Sequence, residues 1–176
     1  MAAPIEIDVW QGDLAELEVD ALVVGASESL FMTAGAAAAL KRRGGEEIEI
    51  AAVEQGPIGP GGAVATTGGL LATPYVIHAV GVGHDRVADP QQLDRAVRAA
   101  IGFARTLRLR RIAMALIGVE HGAFAAEEAA TIQVHAILDA GPATPLEAVV
   151  LASTQASETR AMSDAVRAIA LEAQPS

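Results

Sequence analysis

The sequence predicts an α/β fold: a three-layer α/β/α sandwich around a mixed central sheet, with residues 1–176 forming a single domain. Three observations point to it. Apolar runs of strand length recur along the chain, helical segments separate most of them, and neither an internal repeat nor a domain-sized linker interrupts the series. Hydrophobic residues make up 52% of the chain and aromatics only 3%, so the core must be built from Ala, Val, Ile and Leu.

The elements follow in order. Ile5, Ile7 and Val9 alternate with Glu6 and Asp8, the period of a half-buried strand, and Gly12-Asp13-Leu14 ends it in a turn. Ala21-Leu22-Val23-Val24 is continuously apolar, as expected of a strand covered on both faces. Ala36 to Arg43 reads as an Ala-rich helix closed by Gly44-Gly45, and Glu46 to Glu54 as a second, acidic one. The run Gly56-Pro57-Ile58-Gly59-Pro60-Gly61-Gly62 holds no regular structure and predicts a surface loop. Strands return at Ala63 to Thr67 and Tyr75 to Val80. With no helix between them, these two need not run parallel.

Leu93, Ala96, Val97, Ala100, Ile101, Ala104 and Leu107 give the clearest helical periodicity in the chain. The opposite face carries Arg95, Arg98, Arg105 and Arg108 and reads as solvated. Ile112 to Ile117 is a buried strand, Ala125 to Leu138 a helix, Glu147 to Ala152 a strand and Thr159 to Glu172 the last helix. Val23, Ile77, Met114 and Val150 are expected on buried central strands.

Composition excludes several functions. The absence of cysteine removes disulfides, thiolate nucleophiles and Cys-ligated metals. Lys41 is the only lysine, which excludes a second one for Schiff-base work. A formal net charge of −10 argues against general nucleic-acid binding, which depends on neutralising phosphates. No apolar stretch is long enough to span a bilayer, and Met1 to Trp10 lacks the basic start of a secretory signal. A cytoplasmic protein without a cofactor is the expectation.

Ligands of α/β sheets gather outside the carboxyl ends of strands. Gly12-Asp13, Gly25 to Gly35 and Gly118 to Gly122 occupy such places, and the last precedes a helix, so its amides could face an anion. None matches a dinucleotide fingerprint or a P-loop.

Together these segments resemble a known family. Gln11-Gly12-Asp13-Leu14, then Val19-Asp20-Ala21-Leu22-Val23, then an Ala/Gly-rich helix ending in Gly44-Gly45, is similar to the first third of a macro domain. Gly62 to Gly68, Tyr75-Val76-Ile77-His78-Ala79-Val80-Gly81 and Ile112 to Gly118 continue the likeness, which runs from about Ile5 to Ile169. The resemblance implies an α/β/α domain that recognises ADP-ribose or its relatives, some members of which hydrolyse ADP-ribosyl bonds.

The resemblance implies a ligand-binding set of Asp13, Leu14, Ser27, Gly35, Ala36, Gly118, Val119, Glu120, His121 and Gly122, with no catalytic residue and no metal ligand. Asp13 matches the acid that reads adenine, beside the backbone N–H of Leu14; as a residue in its own right it is equally a turn or helix cap. The family's Asn-Ala-Ala-Asn is here Val24-Gly25-Ala26-Ser27, and its glycine triplet is Met32-Thr33-Ala34-Gly35-Ala36. The acid of catalytic members falls at Ala37, and the second phosphate loop reads Gly118-Val119-Glu120-His121-Gly122. A carboxylate about 4 Å from a phosphate oxygen is repelled by roughly 4 kcal/mol at an effective dielectric near 20. Nothing in Ala152-Ser153-Thr154-Gln155 can stack on a base, a loss of about 1–3 kcal/mol.

Three functions stay open at this point. One is a binding module for ADP-ribose or a related nucleotide metabolite with a degenerate site. Another is an ADP-ribosyl or phosphoester hydrolase, for which Asp13, Asp20, His78, Glu120 and His121 are the candidate bases. The third is a macro fold turned to another ligand or a protein partner. His78, His84, Glu120 and His121 could share a cleft, but their spacing matches no recognised metal motif. His78 is expected to be hydrogen-bonded to backbone, with His135 on a helix and Asp20 at a strand start.

Overall fold

A computed structural model of the chain describes residues 3–174. Its strands are β1 (Glu6–Gln11), β2 (Ala21–Gly25), β3 (Ala63–Thr67), β4 (Tyr75–Ala79), β5 (Arg111–Met114) and β6 (Ala148–Ser153). The helices are α1 (Gly35–Gly44), α2 (Glu46–Val53), α3 (Pro90–Thr106), α4 (Ala126–Ala140) and α5 (Ala156–Glu172). The six strands form one sheet in the order β1-β6-β5-β2-β4-β3. All neighbours are parallel except β3 and β4, which pair antiparallel, as the missing helix between them requires.

Side chains alternate between two cores. Ala21, Val23, Ile77 and Ala79 face α3, α4 and α5, while Leu22, Val24, Val76 and Val150 face α1 and α2. Val23, Ile77, Met114 and Val150 are all buried. Leu93, Ala96, Val97, Ala100, Ile101 and Ala104 of α3 are fully shielded, whereas Leu107 caps the helix and is only partly buried. Asp89 starts this helix by accepting the N–H groups of Gln91 and Gln92, with Pro90 in the first turn.

Three expectations change. The arginine face of α3 is not simply solvated: Arg98 pairs with Asp94 at 2.8 Å and Asp139 of α4 at 3.0 Å, and Arg105 donates to the Ala143 carbonyl. Gly12 to Leu14 does not form a plain turn. It leads into a 3-10 turn, Leu14–Glu16, capped by Asp13. The strand expected to reach Ile117 leaves the ladder after Met114, because a side chain from α4 takes over the pairing. Asp20 accepts the N–H groups of Arg110 and Arg111 at 2.8 and 2.9 Å, a strand-start role.

Candidate functional site

The loops that follow β1, β2, β5 and β6 meet above the carboxyl ends of those strands. They enclose a cavity of about 540 Å³ lined by Asp13, Leu14, Gly35, Ala36, Val119, Glu120 and His121 among others. A smaller cavity of about 150 Å³, lined by Ser27, Phe31, Ala37, His84 and Arg86, adjoins it. The two share Gly25, Ala34, Glu120 and His121. Gly118 and Gly122 lie in the same loop as Glu120 but line neither cavity.

Asp13 is doubly engaged. One carboxylate oxygen accepts the Ala15 N–H at 2.9 Å and the other faces Arg43 at 3.4 Å. The cap holds the carboxylate at the rim of the larger cavity. Further along, α1 begins at Gly35 with a φ of 59°, and Ala34 provides no side-chain cap. The N–H groups of the first turn of α1 therefore border the cavity without side-chain acceptors, the arrangement that suits an anion. Glu49 steadies this loop from α2 by accepting the Met32 N–H at 2.7 Å and the Lys41 ammonium at 2.9 Å.

Glu120 turns inward. Its carboxylate accepts the Gly118 N–H at 2.8 Å and lies against Gly25, where a Cβ would collide with it. Burial pushes its pKa above the ordinary carboxylate value. The N–H groups of Glu120 itself and of Gly118 pull the pKa down, and the charge of Glu158 raises it again. The next residue, His121, has a φ of 56°, a left-handed conformation uncommon outside glycine, and Gly122 follows at 71°.

Val24 is wholly buried in the core, and Ala37 offers only a methyl group to the smaller cavity. Ala152, Ser153, Thr154 and Gln155 bound the larger one without an aromatic ring. His78 corrects its expectation: it is fully buried, its Nε2 meets the Thr66 hydroxyl at 3.0 Å, and its Nδ1 has no hydrogen-bond partner among the described residues. Burial lowers its pKa to about 4. His84 lies apart from it, exposed and 3.9 Å from Glu28, and His135 is exposed on α4. Among the described residues, no group of three or more His, Cys, Asp or Glu side chains is placed to hold a metal.

Two contributors went unseen in the sequence. Gln133 of α4 is fully buried, accepts the Ile117 N–H at 3.0 Å and donates to the Ala115 carbonyl at 2.9 Å, so its amide shapes the loop that carries Glu120. The signal was available: one polar residue on an apolar helix face between Ala129 and Ile137. Glu158 of α5 lines the larger cavity and accepts the Ser153 hydroxyl at 2.9 Å, and no pattern in the sequence marks it.

A six-stranded mixed sheet between two helical layers, with a cleft at its carboxyl edge, defines a three-layer α/β/α domain. The Macro domain family model matches residues 23–133, and the chain belongs to that family. A macro domain-containing protein of Cupriavidus necator is 40% identical over 146 residues, 79% of this chain and 84% of that protein. An uncharacterised protein of Mycobacterium tuberculosis is 35% identical over 93% of this chain, which spans 45% of that relative's length. Among solved structures, a Trypanosoma brucei macrodomain in complex with ADP-ribose superimposes with a TM-score of 0.84 at 21% identity, covering 92% of this chain and 69% of that one. An Oceanobacillus iheyensis macrodomain with ADP gives 0.85 at 19% identity, covering 93% and 91%. No helix among the described residues is long and apolar enough to cross a membrane.

Proposed function

We propose that this chain is a ligand-binding macro domain whose cleft takes ADP-ribose or a related nucleotide metabolite, with a degenerate site and no efficient catalysis. One observation carries the reading: Asp13 and the uncapped start of α1 border the same cavity at the carboxyl edge of the sheet. Asp13 can accept an exocyclic amino proton on the lone pairs left by Ala15 and Arg43, and the α1 amides can receive a phosphate. The fold neighbours from Trypanosoma brucei and Oceanobacillus iheyensis include complexes with ADP-ribose and with ADP, which supports the ligand class.

The same site argues against turnover. Val24 is sealed in the core and Ala37 has no proton to give or take, so neither position can activate a water. Asp13, Glu120 and Glu158 bring three carboxyl groups to the larger cavity, with the Arg42 guanidinium opposing them. That balance also favours a second reading, in which the cleft serves another ligand or a protein partner.

Calorimetric titration with ADP-ribose, ADP and AMP at neutral pH tests the proposal. Weak ADP-ribose binding is expected, with slow or no release of ADP-ribose from modified protein, and no binding of any of the three nucleotides would overturn the proposal. A low-micromolar dissociation constant would overturn the degenerate-site reading. It would stabilise the fold by about 2.7 kcal/mol at a ligand concentration roughly 100-fold higher.

A further inference from the structure

The two cavities share part of their lining, and one carboxyl group stands in that shared part. They meet at Gly25, Ala34, Glu120 and His121, and of these only Glu120 projects a carboxylate into the junction. We propose that Glu120 is the specificity-determining residue of the cleft, a resident carboxyl group that stands where a diphosphate would bind and selects a nucleoside whose ribose carries no phosphate. This rests on the nucleotide-type reading of the cleft and names the ligand within it.

The geometry supplies both halves of that selection. The Glu120 carboxylate already accepts the Gly118 N–H, so that loop amide is taken up within the loop and is not free for a ligand. Gly25 has no side chain where that carboxylate rests, so the pocket for it is built into the end of β2. An incoming phosphate would meet this carboxyl group and that of Glu158, which also lines the larger cavity. A carboxylate that repels phosphate is at the same time a good acceptor for hydroxyl groups, and neighbouring ribose hydroxyls are suited to an acid in this position. Asp13 lines the larger cavity as well, so one carboxylate can read a base and another a ribose.

Calorimetry of the full chain with adenosine, AMP and ADP-ribose tests this on wild type, Glu120→Gly and Glu120→Gln, with thermal melts to establish that each is folded. Wild type is expected to bind adenosine at least tenfold more tightly than ADP-ribose, with AMP between. Glu120→Gly should reverse that order, and Glu120→Gln, which removes the charge but still fills the space, should narrow it. If wild type prefers ADP-ribose and neither substitution changes the ratio, Glu120 is not the determinant and the ADP-ribose reading stands without it. If none of the three ligands binds any of the three proteins, the nucleotide-type reading itself falls, and this inference with it.

Discussion

Lowering the pH protonates His78 in the unfolded chain well before it does so in the folded one. The unfolded imidazole titrates near 6.5, whereas the buried ring, with Nδ1 unpartnered, titrates near 4. Between those values the unfolded state binds the extra proton, so stability falls as pH falls. His78's contribution is whole above pH 6.5 and lost on the way down to about 4. Each pH unit between the two titrations corresponds to about 1.4 kcal/mol, so the window is worth roughly 3 kcal/mol, a large share of the roughly 5–15 kcal/mol typical of a domain. Glu120 acts in the opposite sense: an acid with a raised folded pKa favours the folded state as pH falls through its own titration. Comparing wild type with His78→Leu cancels that contribution, because Glu120 is common to both. Urea unfolding from about pH 4 to pH 8 should give a wild-type minus variant difference that is flat above about pH 7 and slopes by about 1.4 kcal/mol per pH unit below the unfolded titration. Parallel curves across the whole range would show that His78 takes up its proton equally in the folded and unfolded chains.

Gln133→Met should cost about 2–4 kcal/mol by urea unfolding, since the Ile117 N–H and the Ala115 carbonyl both lose a buried partner, and amide exchange at Gly118 should quicken. Gly25→Ala should displace the Glu120 carboxylate and destabilise by roughly 1–3 kcal/mol, a cost that largely disappears in a Glu120→Gly background; additive effects in a double-mutant cycle would show that the two do not meet. Asp13→Ala should cost about 1 kcal/mol through loss of the cap on the Leu14–Glu16 turn, with little added by the exposed Arg43 pair, and a chemical denaturation curve unchanged from wild type would exclude the capping role.

Periodic apolar patterns made the fold legible. The α3 stripe and the runs at Ala21–Val24 and Tyr75–Val80 report burial directly, because each must shield one or both faces of an element. The ends of elements were harder. Ala115 to Ile117 is as apolar as a strand, but a side-chain amide 16 residues beyond Ile117 replaces the neighbouring strand, a contact no local window contains. The Arg98 pair with Asp139 spans 41 residues in the same way. For the site, Asp13 and the glycine loops stood out by residue type, whereas the direction of Glu120 did not. That direction depends on the missing Cβ of Gly25, a residue on a different strand and far earlier in the chain.

The strand order carries a consequence for biosynthesis. Among the described residues β1 pairs with β6 alone, and β6 is inserted between it and β5. Of the six strands β1 leaves the ribosome before the others, yet it cannot dock until residues 148–153 have followed it. During that interval the apolar side chains of Ile7 and Val9 lack their final cover, while Glu6 and Asp8 keep the segment charged on alternate positions. A nascent chain stalled before β6 would thus carry an exposed β1 segment open to proteases, and synthesis of β6 and α5 would protect it in a single step.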